Sequence, residues 1–205
     1  MNRIENPQRI AAIVLAAGSS TRMGRPKMIL PWGKTTVIGQ VLDVLIEAGL
    51  DEILVVTGGS HQEVEKKISE RSVQTVFNPV YAAGEMLSTL QCGLSALRDN
   101  IQAALIVLGD QPQIEAEVVR SVIAAWRTNP SNLVVPSFQM RRGHPWLVSR
   151  PLWRAILDLR PSDTPRDFLN SHAGEILYVP VETGSILQDL DTPEDYKRFN
   201  QGEGN

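Results

Sequence analysis

Cysteine is almost absent from this 205-residue sequence, which contains only Cys92. One cysteine cannot form an internal disulfide, so the chain is not a disulfide-stapled secreted domain, and a reducing compartment is expected. Cys92 lies in a helix-like pattern, where we expect a small core residue. No run of about 18 consecutive apolar residues, the length of a membrane-spanning helix, is present. The first nine residues have no apolar signal core, and we expect a soluble, cytoplasmic protein without membrane contact.

Excess positive charge is missing as well. The 20 lysines and arginines are outnumbered by 23 aspartates and glutamates, so the net charge is −3. A nucleic-acid-binding domain normally carries a basic surface, and we therefore expect no nucleic-acid partner. With 42% hydrophobic and 21% charged residues, the composition is that of an ordinary globular protein. At this length we expect a single domain, residues 1–205.

Two common nucleotide-binding motifs are also absent. The sequence contains no G-x-G-x-x-G, which disfavours a dinucleotide-dependent oxidoreductase. Gly33-Lys34-Thr35 resembles the end of a Walker A loop, but the position that requires the first glycine of that motif is Met28. No predicted strand leads directly into this segment. We therefore expect it to have no phosphate-binding role.

Apolar runs alternate with helix-spaced segments over most of the chain. Runs such as Ile10–Leu15 and Ile53–Thr57 are typical of strands buried on both faces. The apolar positions between Val37 and Ile46 recur at helical spacing, and Gly49 is a plausible helix end. This alternation predicts an α/β fold with three layers: a doubly wound, mostly parallel sheet with helices on both faces. Further strands are expected at 73–77, 103–108, 133–136, 146–148 and 176–181, and further helices at 61–70, 85–98, 115–127, 152–159, 165–170 and from residue 192.

The most informative segment follows the first predicted strand and ends at Lys27. Its small residues let the backbone approach a ligand and point N–H groups toward it. Two cations, Arg22 and Lys27, follow in the same segment. For phosphate oxygens, Arg22 supplies a planar guanidinium fork and Lys27 supplies a point charge. This combination predicts a nucleoside triphosphate site in which Arg22 and Lys27 are catalytic. The residues expected to contact the nucleotide through their backbone are Leu15, Ala16, Ala17, Gly18 and Ser19.

Carboxylates occur at two further places. Asp110 comes directly after a predicted strand, and ligands of open parallel sheets bind beyond the carboxyl ends of the strands. A carboxylate that faces a triphosphate needs a cation between them, and Mg²⁺ suits this role. Asp189 and Asp191 lie two residues apart, so an extended chain turns both to one side. We expect Asp110 to be catalytic and to hold Mg²⁺ with Asp191, Asp189 being the reserve ligand. The alternative role of Asp110 is to cap the following helix.

Two loop segments carry other polar candidates. Asn78 begins an Asn-Pro turn, Gly84 permits a close backbone approach, and Ser88 lies at the start of a predicted helix. There a hydroxyl and free N–H groups would contact a base or ribose, although a plain strand-to-helix connection carries the same residues. Arg142 and His144 belong to an Arg-Gly-His-Pro segment. It suits either a substrate-binding turn or a plain hairpin.

In their order along the chain, these motifs resemble those of the MobA-like nucleotidyltransferases, and more closely the molybdenum cofactor cytidylyltransferase branch. The resemblance implies a fold like that of the nucleotide-diphospho-sugar transferases, a nucleoside triphosphate, Mg²⁺ and release of pyrophosphate. In the family an alanine at the third position of the first motif accompanies cytidine nucleotides, so Ala17 implies CTP. The implied acceptor is a phosphorylated small molecule, molybdopterin, with transient contact to a molybdoenzyme. The matching segments are Leu15–Lys27, Asn78–Ser88, Gly109–Pro112, Arg142–Pro145 and Asp189–Asp195.

One segment departs from the family pattern. Members usually carry a Gly-Ala-Arg-like stretch after the Arg-Gly-His-Pro turn, whereas this sequence has Asp163-Thr-Pro-Arg-Asp-Phe-Leu. Arg166 is the retained arginine, and with Arg142 and His144 it is expected to bind the acceptor. The nucleotide-binding half is expected at about 8–112 and the acceptor-binding half at about 113–200. Two alternatives stay open: a sugar-1-phosphate or polyol-phosphate nucleotidyltransferase, and a non-catalytic nucleotide-binding or cofactor-handling protein for a molybdoenzyme.

Overall fold

Strands and helices alternate along the chain, as the hydrophobic pattern predicts. The computed structural model describes residues 8–18, 26–50, 52–82, 85–129 and 131–200, and no helix in these ranges is long and apolar enough to cross a membrane. The strands are β1 (Ile10–Ala16), β2 (Pro31–Trp32), β3 (Thr35–Thr36), β4 (Glu52–Thr57), β5 (Gln74–Phe77), β6 (Ala103–Leu108), β7 (Leu133–Phe138), β8 (Arg141–Arg142), β9 (Trp146–Ser149) and β10 (Ile176–Pro180). The α-helices are α1 (Val37–Glu47), α2 (His61–Ile68), α3 (Glu85–Ala96), α4 (Ala116–Thr128), α5 (Trp153–Leu157), α6 (Pro165–Ser171) and α7 (Pro193–Asn200). Short 3-10 helices cover Lys27–Ile29, Arg150–Leu152, Ala173–Glu175 and Gly184–Leu187.

Most strands of the central sheet run parallel. Its order is β10-β7-β9-β6-β1-β4-β5, and β1 pairs in parallel with β4 and β6. The pairs β4–β5 and β7–β10 are also parallel, whereas β9 runs antiparallel to β6 and β7, and β8 to β7. The chain between β7 and β9 is too short for the crossover that a parallel pair needs, so β9 has to run the other way. The predicted mostly parallel sheet is confirmed.

Helices bury the sheet on both faces. Alternate residues of the central strand β1 pack into different layers, because neighbouring side chains of a strand point to opposite faces. Ala12 and Val14 pack with buried residues of α1, α2 and α4, whereas Ala11 and Ile13 pack with those of α3, α5 and α6. The predicted three-layer arrangement is therefore confirmed. Cys92 packs against the second of these layers and stays partly exposed.

A smaller core joins the β2–β3 hairpin to the C-terminal helix. Leu30, Trp32 and Val37 pack with Leu190, and aromatic residues of α7 cover them. Gly33 turns the hairpin with a φ of 50°, a left-handed conformation that glycine adopts readily. The Gly-Lys-Thr tripeptide is therefore a hairpin turn, in agreement with the rejection of a Walker A loop.

Two side-chain caps and one glycine set three helix boundaries close to where the sequence predicts them. Thr36 begins α1, where its hydroxyl accepts a hydrogen bond from the Gly39 N–H at 3.2 Å, and Gly49 follows its end with a φ of 81°. Thr192 begins α7, where its hydroxyl accepts from the Asp195 N–H at 3.1 Å. The Asp195 carboxylate accepts in return from the Thr192 N–H at 3.0 Å. This reciprocal cap fixes the chain directly after Asp191.

Gly93 marks a close approach of α3 to the sheet. A Cβ there would lie 2.5 Å from Ile13 Cγ2 and 3.0 Å from Val56 Cγ2, two methyl groups of buried strand residues with little freedom to move. We expect Gly93→Ala to lower the free energy of unfolding by about 1–3 kcal/mol, although alanine is the better helix former. Urea denaturation followed by circular dichroism measures the change.

The matched control is Gly174→Ala, because a Cβ at Gly174 meets no described atom within 4 Å. Its free energy of unfolding should stay within about 0.5 kcal/mol of the wild-type value. Wild-type stability of Gly93→Ala would contradict the close packing of α3 on β1 and β4.

Candidate active site

The carboxyl ends of three parallel strands meet at one edge of the sheet. Ala17 follows β1, Gly58 follows β4, and Gly109 and Asp110 follow β6. The Gly109 N–H donates to the Leu15 carbonyl at 3.0 Å, and a side chain at Gly58 would collide with the Ala17 carbonyl. The two glycines thus let the strand ends pack backbone against backbone. As a result the first loop begins next to Asp110, where α/β sheets bind ligands.

Lys27 lies among the carboxylates that the sequence predicts to be functional. Its ammonium forms an ion pair with Asp110, lies 3.4 Å from Asp191 Oδ1, and donates to the Leu190 carbonyl at 3.1 Å. The side chains of Lys27 and Asp110 are only 12% and 14% exposed. Burial by itself lowers the pKa of Lys27, but the attraction of Asp110, followed by that of Asp191, outweighs it and raises this pKa above its ordinary value. Lys27 is therefore a fixed positive charge at this edge.

Asp189 adds a third carboxylate to the same region. Burial, and then repulsion from Asp110 and from Asp191, raises its pKa above the ordinary value. Carboxylate oxygens are ligands that Mg²⁺ prefers, so Asp110 and Asp191, with Asp189 in reserve, fit the predicted metal. Across the described ranges, however, no three His, Cys, Asp or Glu side chains are already grouped as metal ligands. Asp110 and Asp191 contact the Lys27 ammonium instead.

One backbone hydrogen bond and one buried side chain bring the Asp189–Asp191 segment to Asp110. The Leu190 N–H donates to the Asp110 carbonyl at 3.1 Å. The Leu190 side chain is fully buried in the small core with residues of the β2–β3 hairpin. The structure therefore places Asp189 and Asp191 at the same edge as Asp110 without grouping the three as formed metal ligands in the described ranges. Their metal-binding role stays a prediction.

The start of the first loop lies at this edge. Leu15 and Ala16 end β1, and Ala17 and Gly18 follow them. Ala17 is only 3% exposed and lies against Gly58. Three other predicted nucleotide contacts lie outside the described residues: Ser19, Arg22 and Gly84.

Asn78 is buried and holds the start of α3. Its Nδ2 donates to Ser88 Oγ at 3.0 Å and to Thr89 Oγ1 at 3.4 Å, while its Oδ1 accepts from the Val80 N–H at 3.1 Å. Both ends of this amide are thus used within the protein. Asn78 positions Ser88, and Ser88 lines the large cavity next to the sheet edge.

That cavity has a volume of about 1550 Å³. Its walls include the end of β6, the first half of α3, β8 and the start of α6. Asp189 connects it to the charged cluster, because it lines the cavity and interacts with Asp110, Asp191 and Lys27. The cavity therefore brings together some of the residues that the sequence predicts to bind nucleotide, acceptor or metal. Those that line the cavity are Ser88, Arg142, His144, Arg166 and Asp189.

Arg142 connects three elements that line the cavity. Its Nε donates to the Tyr178 hydroxyl at 2.9 Å, and its Nη1 donates to Asn170 Oδ1 at 2.9 Å. The guanidinium also lies 5.6 Å from the centre of the Tyr178 ring, within range of a cation–π interaction. These contacts connect β8 with β10 and α6.

His144 follows on the same segment. Its N–H donates to the Ile186 carbonyl at 3.0 Å, and a side chain at Gly143 would collide with that carbonyl. Burial lowers the pKa of the His144 imidazole to about 4. The ring is therefore neutral at pH 7 and offers one hydrogen-bond donor and one acceptor. It can orient a ligand, but it brings no charge to an anion.

Arg166 reaches the cavity from the first turn of α6. Thr164 begins this helix: its hydroxyl accepts from the Asp167 N–H at 3.2 Å, and the Asp167 carboxylate accepts from the Thr164 N–H at 2.9 Å. Hydrogen bonds from Arg160 hold the pKa of the preceding carboxyl, Asp163, below its ordinary value. The segment that departs from the family pattern is thus a capped helix start that carries Arg166 to the cavity.

The cavity also contains residues that the sequence did not single out. Gln111 is 2% exposed, and its Oε1 has no hydrogen-bond partner in the described part of the chain. It is therefore available to a donor group of a ligand. Gln91 donates from α3 to three carbonyls at the end of α5. The Gly-Asp-Gln-Pro motif contains a signal for Gln111, whereas Gln91, Asn170 and Tyr178 are found only through the fold.

Comparison with known proteins places the chain among nucleotide-handling enzymes. The sequence profile of the MobA-like NTP transferase domain matches residues 12–176. Molybdenum cofactor cytidylyltransferase of Escherichia coli K12 is 30% identical over 192 residues, which cover 91% of this chain and 93% of that protein. A protein of Paenarthrobacter nicotinovorans named nicotine blue oxidoreductase is 26% identical over 198 residues, 93% and 96% of the two chains.

A solved structure is similar over nearly the whole chain. Rv0371c from Mycobacterium tuberculosis H37Rv superimposes with a TM-score of 0.82 at 28% identity, covering 94% of this chain and 98% of that one. A complex of Rv0371c with manganese superimposes with a TM-score of 0.78 at 27% identity, covering the same shares of the two chains.

The neutral His144 has a consequence for stability at acidic pH. The unfolded chain takes up a proton there near the ordinary pKa of 6.5, whereas the folded protein does so only near pH 4. Because the unfolded state binds more protons between these values, stability that is present above pH 6.5 is lost as the pH falls toward 4. The expected loss is up to about 3 kcal/mol. We expect His144→Asn to remove this part of the pH dependence.

Urea denaturation of both proteins between pH 8 and pH 4.5 measures the effect. The variant should be less stable than the wild type at pH 8, and the difference should shrink as the pH falls. A difference that stays constant across this range would contradict a neutral His144 in the folded protein.

Proposed function

This chain belongs to the MobA-like NTP transferase family, and from that premise we propose that it transfers CMP from CTP to a phosphorylated acceptor and releases pyrophosphate. Its class, nucleotidyltransferase, is confirmed by the family match. The proposal rests on the contacts of Lys27 with Asp110 and Asp191 at the carboxyl edge of the sheet, beside the first loop. A lysine among carboxylates suits a triphosphate that binds together with a divalent cation.

The proposed reaction is an in-line attack by a phosphate oxygen of the acceptor on the α-phosphorus of CTP. The new P–O bond forms while the bond to the β-phosphate oxygen breaks, and pyrophosphate leaves with the electron pair. Transfer of this kind depends on positioning and charge neutralisation rather than on a covalent nucleophile. Since both reactants are anionic, the site has to hold two negative groups next to each other.

Lys27 and Arg22 would neutralise the triphosphate. Lys27 suits this role because its contacts with Asp110 and with the Leu190 carbonyl hold its ammonium in place before the substrate arrives. Asp110 and Asp191 would hold Mg²⁺, with Asp189 as the reserve ligand. When bound, Mg²⁺ neutralises phosphate charge and polarises phosphoryl oxygens. The manganese complex of Rv0371c supports a divalent ion in this fold.

Nucleotide recognition would depend mainly on backbone groups of the first loop. Ala17 supports CTP through the family resemblance. Because its methyl group is nearly buried against Gly58, its size would act through the position of the loop backbone rather than by touching the base. The remaining proposed contacts are Leu15, Ala16, Gly18 and Ser19 along the nucleotide and Gly84 and Ser88 near the base or ribose. Asn78, also expected to bind the nucleotide, would act through Ser88, because its amide is engaged within the protein.

Molybdopterin with its terminal phosphate is the proposed acceptor. The support is the E. coli relative named molybdenum cofactor cytidylyltransferase, which aligns with 91% of this chain. Arg142, His144 and Arg166 line a cavity that is large enough for such a molecule beside a nucleotide. The product would pass to a molybdoenzyme by transient contact in the cytoplasm. A sugar-1-phosphate or polyol phosphate in the same site is the alternative acceptor.

A redox role is a second candidate, because one relative of similar length is named an oxidoreductase. The sequence lacks the G-x-G-x-x-G motif of dinucleotide-binding enzymes. The charged cluster around Lys27 also suits a triphosphate better than a redox cofactor. Nucleotidyl transfer is therefore the function that we propose.

Thermal stability discriminates between these functions. We expect CTP with Mg²⁺ to raise the melting temperature more than GTP, ATP or UTP with Mg²⁺, since a ligand of the native state stabilises it. A rise with NAD or NADP in place of CTP would contradict nucleotidyl transfer and favour the redox role. Stabilisation by CTP without pyrophosphate release from any tested acceptor would favour the non-catalytic binding protein. The acceptors to test are molybdopterin, sugar-1-phosphates and polyol phosphates.

Loss of either central charge should abolish most of the activity. We expect Lys27→Ala and Asp110→Ala each to slow pyrophosphate release with CTP and molybdopterin about a hundredfold or more. Removing one well-placed group that stabilises charge in the transition state costs about 2.7–4 kcal/mol. A continuous pyrophosphate assay measures the rates, and circular dichroism checks that the variants are folded.

The matched control is Lys34→Ala, because Lys34 lies exposed in the turn of the β2–β3 hairpin. It should release pyrophosphate at the wild-type rate. Near-normal release by Lys27→Ala, or an equal loss in Lys34→Ala, would overturn the assignment.

A further inference from the structure

Three arginines line the large cavity, Arg141, Arg142 and Arg166, and they differ in whether the protein itself engages them. Arg142 is held by Tyr178 and Asn170 through two hydrogen bonds of 2.9 Å. Arg141 and Arg166 line the same cavity, and no described residue offers either of them a hydrogen bond, an ion pair or an aromatic ring. Two guanidinium groups are therefore available to a ligand, whereas the third is engaged within the protein.

The two arginines of β8 differ in burial and in partners. Arg141 and Arg142 are neighbours on this short strand, where they pair with Phe138 and Ser137 of β7 respectively. Arg142 is partly buried and turned toward β10 and α6, whereas Arg141 is exposed at the cavity.

Nearby carboxylates are already engaged. Asp163 is paired with Arg160 at 3.0 Å, and Asp167 caps α6 through Thr164. His144 is neutral at pH 7. The positive charge of Arg141 and Arg166 is thus not cancelled by these two carboxylates, and Asp189 is the link from the same cavity to the charged cluster.

We propose that Arg141 and Arg166 together hold the phosphate of the acceptor, and that Arg142 is a positioning residue that fixes the wall carrying them. Guanidinium forks bind phosphate oxygens in pairs, which gives direction as well as charge. The identity of this anion as the acceptor phosphate rests on the proposed function. Arg141, which no sequence motif singles out, is the new member of the site.

Two arginines at the acceptor phosphate would reduce the repulsion between the two substrates of the proposed reaction. An anionic acceptor has to approach an anionic triphosphate, and repulsion between them opposes that approach. Cations at Arg141 and Arg166 would offset the charge of the acceptor, while Lys27 would offset that of the nucleotide. The two phosphates can then be held near each other in one cavity.

The first test uses inorganic phosphate as the probe. Isothermal titration calorimetry measures its binding at low ionic strength, with and without saturating Mg²⁺ and α,β-methylene-CTP, which cannot react. We expect saturable binding in both conditions, weakened about tenfold or more in Arg141→Gln and in Arg166→Gln. Both variants should also raise the KM for the acceptor without changing the KM for CTP.

Arg120→Gln is the matched control. Arg120 is 44% exposed and pairs with Glu117 on α4, and it is absent from the described lining of the large cavity and of the smaller pocket beside Ser88. It should bind phosphate as the wild type does. An equal loss in this control would show a general charge effect and overturn the proposal.

A second pair of variants tests the role of Arg142. Tyr178→Phe removes the hydroxyl to which Arg142 donates but leaves every proposed phosphate contact in place. Arg142→Lys keeps the charge but cannot form both hydrogen bonds. If Arg142 positions the wall, both variants should raise the acceptor KM with unchanged kcat and CTP KM. Wild-type KM values in both, with a large loss in Arg142→Gln, would mean that Arg142 binds the phosphate directly and would overturn its role here.

The outcomes separate this inference from the proposed function. Failure of α,β-methylene-CTP to bind would overturn the proposed function, and the phosphate titration without nucleotide would still test the arginine pair. Normal phosphate affinity in both Arg141→Gln and Arg166→Gln, with the analogue still binding, would overturn the inference alone. Competition between phosphate and the analogue would place the anion in the triphosphate site and also overturn it.

Discussion

The ion pair between Lys27 and Asp110 is the interaction on which the functional edge of this protein depends. Both side chains are largely buried, and breaking such a pair leaves an uncompensated charge in a poorly solvated place. Around it lie two more carboxylates, brought there because Leu190 is buried and its N–H is bonded to the Asp110 carbonyl. One cation thus holds together a group of anions that would otherwise repel each other. The same excess of carboxylate oxygen is what suits the edge to a divalent cation.

The two kinds of strand pairing build two sides of the cavity. Parallel strands β1, β4 and β6 bring their carboxyl ends to one edge, where the phosphate-binding residues are expected. The antiparallel strands β8 and β9 turn the chain back at the carboxyl end of β7 and place Arg142 and His144 at that same edge. The result is one cavity lined by both carboxylate and guanidinium groups. Such a lining suits two anionic substrates, one of which binds with a divalent cation.

Much of the fold was predictable because the central strands are buried on both faces and so are apolar throughout. The predicted bounds of β1, β4 and β6 agree with the structure to within one residue. The β2–β3 hairpin was missed, because two-residue strands are too short to show a period. The direction of β9 was left open, since the Arg-Gly-His-Pro segment before it suited either a substrate-binding turn or a plain hairpin; the structure has β9 antiparallel to β7. For the site, the positions of Lys27, Asp110, Asp189 and Asp191 near one another agree with the expectation, whereas their chemical roles stay predictions.

The sequence by itself determined the alternation of strands and helices, the family, and the motif residues that follow strand ends, because these properties are local or recur at fixed spacing. Only the tertiary structure decided which polar groups are free to meet a ligand. Arg142 looks like a ligand-binding arginine in its motif, yet its partners Asn170 and Tyr178 lie 28 and 36 residues away along the chain. Arg141 carries no motif signal, yet it lines the cavity. Availability of a side chain depends on contacts between distant segments, and these exist only once the chain has folded.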